Sequence, residues 1–367
     1  MSWQLGLARL AALLGRDLQR PVRAAGGGAR LWSATPPALE RLLRIDSTTL
    51  GDVLALRRSF DADAEHRALG ARGIAHVGIG EPAYPARLTE IPDPPFGLFT
   101  MGAAADTPAR DVPVIAVVGS RRPTTFGMRF AHSLCAALAT RGAQVVSGLA
   151  LGIDAEAHAG ALSVERPTTA VLGAGVDVSS PRSNDRLRSE ILASGVVMSE
   201  YWPGTEPAPW RFPARNRIVA GLADAVVVVE AGERSGALIT ADFALEQGRP
   251  VLSVPGAPGA AASVGCNALL RVGAAMCEGI DDVIAECAHL AWTQIVSGVS
   301  ASELPPGLDG QIYQLLSREP LRSDEIGARV GGDAAGVAAA LGRLELDGYV
   351  VRGQAQRYWA AALGPVS

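Results

Sequence analysis

The sequence predicts an α/β fold in which helices cover both faces of a mostly parallel sheet. Six short runs rich in valine and other apolar residues alternate with helix-like stretches between residues 114 and 288. Strands that are apolar at nearly every position are typical of a sheet buried on both faces, and their alternation with helices favours parallel pairing. The 42 glycines, 24 prolines and low aromatic content of 5% agree with many turns and small-residue helices. We therefore expect a doubly wound, Rossmann-like domain.

The first 80 residues predict a small helical domain of the SAM or helix-hairpin-helix kind. Apolar residues recur at helical spacing in the stretches LARLAALLG, PALERLLRI and TLGDVLALRRSF. Asp46 and Ser47 precede the last of these stretches and are expected to cap its N-terminus. The proline-rich residues that follow hold one candidate strand, FGLFTMG, and we assign residues 81–288 to the Rossmann-like domain.

The elements of the Rossmann-like domain are predicted from the apolar runs and the stretches between them. The candidate strands are VIAVV (114–118), AQVVS (143–147), TTAVLG (168–173), VVMSE (196–200), ADAVVVVE (223–230) and PVLSV (250–254). The helices expected between them include GMRFAHSLCAALATRG, NDRLRSEILASG, ARNRIVAGL and SGALITADFALEQG.

The C-terminal part predicts a linker and a second domain. Serine and proline become frequent and periodicity fades over residues 289–307, which we interpret as the linker. Residues 308–367 predict three helices followed by a β-hairpin, the pattern of a winged helix. The third helix, AAGVAAALGRLELDG, carries few charges, so a protein contact is as well supported as DNA recognition.

Composition excludes several classes of protein. All 33 basic residues are arginine, so there is no lysine for a Walker A loop, a Schiff base or a general base. The net charge of −4 means that nucleic-acid binding has to come from a local patch. The four cysteines form no C-x-x-C pair, and we expect no metal and no cofactor. No apolar run is long enough for a membrane span, so we expect a cytoplasmic protein.

The carboxyl ends of the candidate strands share small and hydroxyl residues. Ligands of open parallel sheets bind at this edge, where backbone N–H groups and helix N-termini attract anions. The candidate binding residues of small or hydroxyl type are Gly119, Ser120, Ser147, Gly148, Ser235 and Gly236. Arginines that suit phosphate contacts lie near the same edge in sequence: Arg121, Arg122, Arg182, Arg215 and Arg217, with Asn216 between the last two.

Two enzyme classes fit the same edge less well. A dinucleotide site requires the motif G-x-G-x-x-G, but the loop here is G-S-R-R-P-T-T-F-G. The second strand also does not end in the acidic residue that binds the ribose in such sites. The hydrolase motif G-x-S-x-G is absent, so no catalytic residue is assigned. Glu200 and Glu230 end two strands and are candidate general bases, although a carboxylate that orders a loop by accepting backbone N–H bonds is favoured for each.

Five segments resemble the DNA-processing protein A family (DprA, also called Smf). They are AVVGSRRPTTFG, VVSGLALGIDAEAH, SEYWPGTEPAPWRFPARNRIVAGLADAVVVVEA, SGALITADFALEQGRPVLSVPG and GCNALL, in the order and spacing of that family. The resemblance covers roughly residues 80–290, and the helical N-terminus and winged-helix tail match the longer members.

The resemblance implies a non-enzymatic protein that binds single-stranded DNA. It implies a basic pocket on the Rossmann-like domain, a homodimer formed through that domain, and loading of RecA in natural transformation with displacement of single-strand-binding protein. Carried onto this sequence, the pocket also includes Thr240. The family has a tyrosine-proline pair where Ser180 and Pro181 stand here, so packing or stacking at that loop is in doubt.

The alternative function is a nucleotide-processing enzyme of the phosphoribohydrolase type on the same fold. Such enzymes carry P-G-G-x-G-T-x-x-E, whereas the comparable stretch here is EAGERSGALITADFALE. Ser235 and Gly236 replace the glycine-threonine core, and Glu230 is the acidic base that this alternative requires.

Overall fold

The computed structural model describes residues 3–103, 112–292, 307–316, 321–346, 349–352 and 357–360. The chain divides into two compact units, Met1–Gln294 and Ile295–Ser367. The domain boundaries inferred after residues 80, 288 and 307 stay predictions. No helix within the described ranges combines the length and the apolar character that a membrane crossing requires.

The first unit begins with short helices around a leucine-rich core. They are α1 (Trp3–Leu14), α2 (Gln19–Ala25), α3 (Gly28–Trp32), α4 (Pro36–Leu43), α5 (Ser47–Ser59) and α6 (Ala62–Gly70). The sequence indicated α1, α4 and α5. It gave no clear period for α2 and α3, which are short, or for α6, whose sequence ADAEHRALG has one large apolar residue, Leu69. Asp46 caps α5 as predicted, because its carboxylate accepts a hydrogen bond from the Thr49 N–H at 2.7 Å.

A nine-stranded sheet forms the centre of this unit. Its strands are β1 (Ala75–Gly78), β2 (Gly97–Met101), β3 (Val114–Val118), β4 (Gln144–Ser147), β5 (Thr168–Val171), β6 (Val196–Ser199), β7 (Ala225–Val228), β8 (Val251–Ser253) and β9 (Ala275–Met276). The order is β1-β2-β6-β5-β4-β3-β7-β8-β9. Strands β3 to β9 pair in parallel, and β2 pairs antiparallel with both β1 and β6. The predicted mostly parallel, Rossmann-like sheet is confirmed.

The strand order places a switch point between β3 and β7. The chain runs outward from β3 through β4, β5 and β6, then returns to add β7, β8 and β9 on the other side. At such a point the connections leave in opposite directions, and a crevice opens beyond the carboxyl ends of the strands.

Helices cover both faces of the sheet. They are α7 (Ala86–Thr89), α8 (Thr125–Thr140), α9 (Ile153–Ser163), α10 (Asp185–Ser194), α11 (Arg211–Leu222), α12 (Gly236–Glu246), α13 (Val264–Arg271) and α14 (Ile280–Glu286). Side chains of β3 alternate between the faces, as a strand's period of two requires. Val114, Ala116 and Val118 pack with α11 and α12, whereas Ile115 and Val117 pack with α8 and α9.

The second unit is a winged helix, as predicted. Its elements are α15 (Leu308–Leu316), β10 (Leu321–Arg322), α16 (Ser323–Val330), α17 (Ala334–Leu346), β11 (Val350–Arg352) and β12 (Arg357–Ala360). The strands form an antiparallel sheet in the order β10-β12-β11. Ile312, Ile326, Leu341 and Leu344 form its buried core.

A histidine lies deep in the first unit. His158 of α9 is fully buried, and its Nδ1 lies 2.8 Å from Thr168 Oγ1. Thr168 uses its own hydrogen to donate to Val145 O, so Nδ1 carries the proton and donates to the hydroxyl. Nε2 is buried and has no partner among the described residues. Burial lowers the pKa of His158 to about 3, because the charged ring would hold an N–H without an acceptor.

We expect this histidine to make stability fall in acid. The unfolded chain takes up a proton near pH 6.5 while the folded ring stays neutral to about pH 3, so stability is lost as pH falls through this window. Relative to His158→Asn, which keeps a donor for Thr168, the wild type is expected to lose about 2 kcal/mol more between pH 7.5 and pH 5. Urea unfolding at both pH values measures this difference. A free energy of unfolding that changes equally with pH in the wild type and in His158→Asn would contradict the prediction.

Candidate nucleic-acid interface

A cavity of about 770 Å³ opens at the carboxyl edge of the sheet, at the switch point between β3 and β7. Three loops meet there: the one after β3, the one before α11 and the one before α12. Nine of the thirteen candidate binding residues line the cavity. They are Gly119, Ser120, Arg121, Arg122, Arg215, Asn216, Ser235, Gly236 and Thr240.

The loop after β3 is held in place by its backbone. Ser120 N–H donates to Glu230 O at 2.7 Å, and the Ile153 N–H donates to Ser120 O at 3.1 Å. A Cβ added at Gly119 would lie 2.7 Å from Ile153 Cγ1, so the loop cannot carry a side chain there without moving. This close approach explains the glycine, and it fixes the start of the segment that carries Arg121 and Arg122.

Three arginines face solvent at the cavity. Arg121, Arg122 and Arg234 are exposed, and none has a carboxylate partner within the described ranges. The Arg121 guanidinium lies over the Phe212 ring at 5.3 Å from its centroid. Because a contact with a ring face uses none of its N–H groups, the Arg121 guanidinium remains able to donate hydrogen bonds to an oxyanion.

Arg215 has a different environment, because it is 4% exposed and already bonded. Its Nη1 donates to Gly148 O at 2.7 Å and to Val171 O, and its Nε donates to Asn216 Oδ1 at 3.1 Å. Asp154, the one carboxylate among the described lining residues, accepts from the N–H groups of Gly148 and Ala150. Burial raises the pKa of Asp154, and the positive charge of Arg215 opposes that shift.

The loop before α12 completes the wall. Ser235 caps α12 by accepting from the Ala237 N–H at 3.3 Å, and Thr240 lies one turn further along, buried against the cavity. Asn216 of α11 donates to Gly236 O at 3.3 Å, which ties α11 to this loop. The start of α12, which carries the partial positive charge of a helix N-terminus, therefore borders the same space as the exposed arginines.

Four candidates lie outside this cavity. Gly148 lines a smaller neighbouring cavity of about 100 Å³ together with Ser180, Arg121 and Arg215. Ser147 is fully buried, and its hydroxyl donates to Val117 O at 2.7 Å inside the sheet. Arg182 is exposed on a short 3-10 turn beyond the lining.

Arg217 faces away from the cavity. It is 6% exposed and points to a different side of α11 from Arg215, where it lines a separate cavity of about 480 Å³. Its two terminal nitrogens donate to both carboxylate oxygens of Glu200 at 2.6 and 2.7 Å. The expectation that Arg217 joins the anion site is therefore not met, because its charge is neutralised and its side chain is buried.

The two candidate bases have structural partners. Glu200 is paired with Arg217, and Glu230 accepts from the N–H and the hydroxyl of Thr124 at 2.9 and 2.5 Å, at the start of α8. Glu230 matches the loop-ordering role that the sequence favoured, because it accepts a backbone N–H. Glu200 instead pairs with a side-chain guanidinium, which the sequence did not indicate. Within the described ranges, no group of three or more histidine, cysteine, aspartate or glutamate side chains is arranged to hold a metal ion.

Sequence reasoning missed Arg234 and Phe212, which both line the cavity. Arg234 directly precedes Ser235 in the segment GERSG, where a helix was predicted to begin. Its position next to a candidate binding residue could therefore have identified it. Phe212 stands two residues after Trp210 in a proline-rich stretch at the start of α11, where nothing in the sequence distinguishes a ring that faces a cavity from one that packs in the core.

The chain is similar to known proteins along most of its length. Residues 75–288 match the sequence model of DNA recombination-mediator protein A, and residues 300–356 match that of the DprA winged helix domain. Protein Smf of Synechocystis sp. is 39% identical over 247 residues, which is 66% of this chain and 61% of that protein. DNA processing protein DprA of Streptococcus pneumoniae is 40% identical over 231 residues, 63% of this chain and 80% of that protein.

Solved structures give the same result. The X-ray structure of DNA processing protein A from S. pneumoniae superposes with a TM-score of 0.59 at 35% identity, covering 78% of this chain and 93% of that one. DNA processing protein A from Helicobacter pylori, studied for its unique single-stranded DNA binding mode, gives a TM-score of 0.52 at 30% identity, over 58% and 96% of the two chains. With the DNA recombination-mediator model matching more than half of its residues, the chain belongs to the DprA/Smf family of DNA processing proteins.

Proposed function

We propose that the chain binds single-stranded DNA in the cavity at the carboxyl edge of its sheet, and acts as a recombination mediator rather than as an enzyme. The observation that carries the proposal is the charge of this cavity. Four arginines line it against one buried carboxylate, Asp154, in a chain whose net charge is −4. A local positive patch on an acidic protein is what phosphate binding requires.

The surroundings favour a single strand over a duplex. Phe212 and the Arg121 guanidinium stacked on it offer flat surfaces to a base, and unpaired bases can stack on such groups whereas paired bases cannot leave their own stack. Arg121, Arg122 and Arg234 are assigned to phosphates, because they are exposed and have no acidic partner in the described part of the chain. Arg215 is assigned a structural role, because it donates to the carbonyls of Gly148 and Val171 at the carboxyl edge of the sheet.

A binding titration over salt tests the proposal. The full chain is expected to bind a fluorescent oligothymidylate with a log–log slope of about −0.7 per phosphate contact, and to bind a duplex of the same length more weakly. Fluorescence anisotropy at several salt concentrations measures both quantities. Salt-independent binding, or equal affinity for the duplex, would argue against this site.

The resemblance extends the proposal to partners. We propose that the protein forms a homodimer through the Rossmann-like domain, loads RecA onto single strands and helps to displace single-strand-binding protein, as in natural transformation. The domain division into residues 1–80, 81–288, 289–307 and 308–367 is part of the same proposal. RecA filament formation on strands covered by single-strand-binding protein, with and without this chain, tests the loading step, and sedimentation tests the dimer. Nucleation no faster with the chain present would contradict the mediator role.

A further inference from the structure

An aromatic pair stands exposed beside the cavity. Phe126 lies in the first turn of α8 with 58% of its surface exposed, and its ring contacts that of Phe130 in a tilted arrangement, with 5.8 Å between centroids and 35° between the ring planes. Phe130 is half-buried and packs against the core on this face of the sheet. The inner ring therefore holds the outer one in place, so that Phe126 presents a fixed, flat apolar surface to solvent.

Two exposed arginines lie close to this pair in the chain. Arg122 lines the cavity, and Arg129 follows Phe126 at the i+3 position, on the same side of α8. Both are exposed, and neither forms an ion pair with a described residue. Further along the helix, His132 Nδ1 lies 3.5 Å from a carboxylate oxygen of Glu156 in α9. We call Arg122, Phe126, Arg129 and Phe130 the α8 strip.

The strip is continuous with the cavity. Phe126 follows Arg122 by four positions, which limits the distance between their Cα atoms to about 14 Å. The start of α8 is also fixed against the edge, because Thr124 is bonded to Glu230 and a Cβ at Gly127 would lie 2.5 Å from that carboxylate group. Phe126 is therefore a rigid neighbour of the cavity and not part of a freely moving loop.

We propose that a single strand held in the cavity continues over the α8 strip, with a base stacked on Phe126 and a phosphate near Arg129. Alternating aromatic and basic side chains are the surface on which single strands bind without sequence preference. The inference rests on the proposed function of the cavity, and it adds a second binding segment that a short strand does not reach.

Strand length separates the two parts. Phe126→Ala is expected to weaken binding of an oligothymidylate of about 20 nucleotides at least fivefold, and to leave one of about 5 nucleotides unchanged. Phe126→Trp should bind the long strand at least as tightly as the wild type, because tryptophan supplies a larger ring for a base to stack on. Leu245→Ala, which removes a side chain of similar exposure from α12, is the control and should change neither.

The outcomes distinguish this inference from the proposed function. If Arg121→Ala weakens both lengths while Phe126→Ala affects neither, the cavity binds DNA and the strip does not. If Phe126→Ala weakens both lengths equally, Phe126 belongs to the short-strand site and the inference of a second binding segment is wrong. If Phe126→Ala changes the sedimentation of the free protein and not the long-strand affinity, the strip is a protein contact and the inference is wrong. If Arg121→Ala has no effect at either length, the proposed function itself fails. Anisotropy for the two lengths, with sedimentation of each variant, gives all of these readings.

Discussion

Replacing Arg215 by methionine is expected to lower the free energy of unfolding of the first unit by about 3–5 kcal/mol. The buried guanidinium donates to the carbonyls of Gly148 and Val171, at the carboxyl ends of β4 and β5. Methionine fills much of the volume but leaves both carbonyls without a donor. It also leaves Asp154 buried without the positive charge that favours its ionised form. A urea titration of the full chain measures the loss.

Two further variants make this prediction specific. Asp154→Asn in the Arg215→Met background should recover part of the stability, because a neutral amide no longer needs the missing charge and its oxygen can still accept from the Gly148 N–H. Arg186→Met, at an exposed arginine of α10 paired with Glu190, should stay within about 0.5 kcal/mol of the wild type. A loss for Arg215→Met as small as that of Arg186→Met would show that the buried guanidinium does not hold the strands together.

The sheet was predictable because its strands are apolar at nearly every position. Such runs as VIAVV and ADAVVVVE have no other stable place in a protein of this size than a sheet covered on both faces. Strands β1 and β9 have no predicted counterpart, because AHVG is interrupted by a histidine and AM has only two residues. Their pairing is decided by the neighbouring strand and not by their own sequence, so no local pattern indicates them.

The sequence predicted that the binding site lies at the carboxyl edge of the sheet, but it did not predict the direction in which each side chain points. Arg215 and Arg217 stand two residues apart in one helix, and the sequence treats them alike. At about 100° per residue they point to different sides of α11, and their partners lie far away in the chain. Glu200 neutralises Arg217, while Gly148 and Val171 accept from Arg215. Long-range partners of this kind decide which arginines remain free.

Arg121→Ala is expected to weaken binding of single-stranded DNA by about tenfold to a hundredfold, for all sequences alike. A hydrogen bond to a charged group contributes about 1.5–3 kcal/mol, and a phosphate contact carries no sequence information. The variant should also reduce the log–log salt slope by about 0.7, because one fewer phosphate is neutralised. The free energy of unfolding should change little, since Arg121 is exposed and its guanidinium packs on the Phe212 ring.

The salt slope separates a phosphate contact from a stacking contact at this position. Arg121→Gln keeps a flat, polar side chain that can lie over Phe212 but removes the charge. We therefore expect this variant to reduce the log–log salt slope by about 0.7 and to lose part of the affinity. Arg166→Ala, at an exposed arginine after α9 and outside the cavity lining, is the matched control and should retain the wild-type slope. An unchanged slope for both Arg121 variants would mean that this guanidinium meets bases and not phosphates. The three free arginines would then divide their roles differently, with Arg122 and Arg234 supplying the charge that the strand requires.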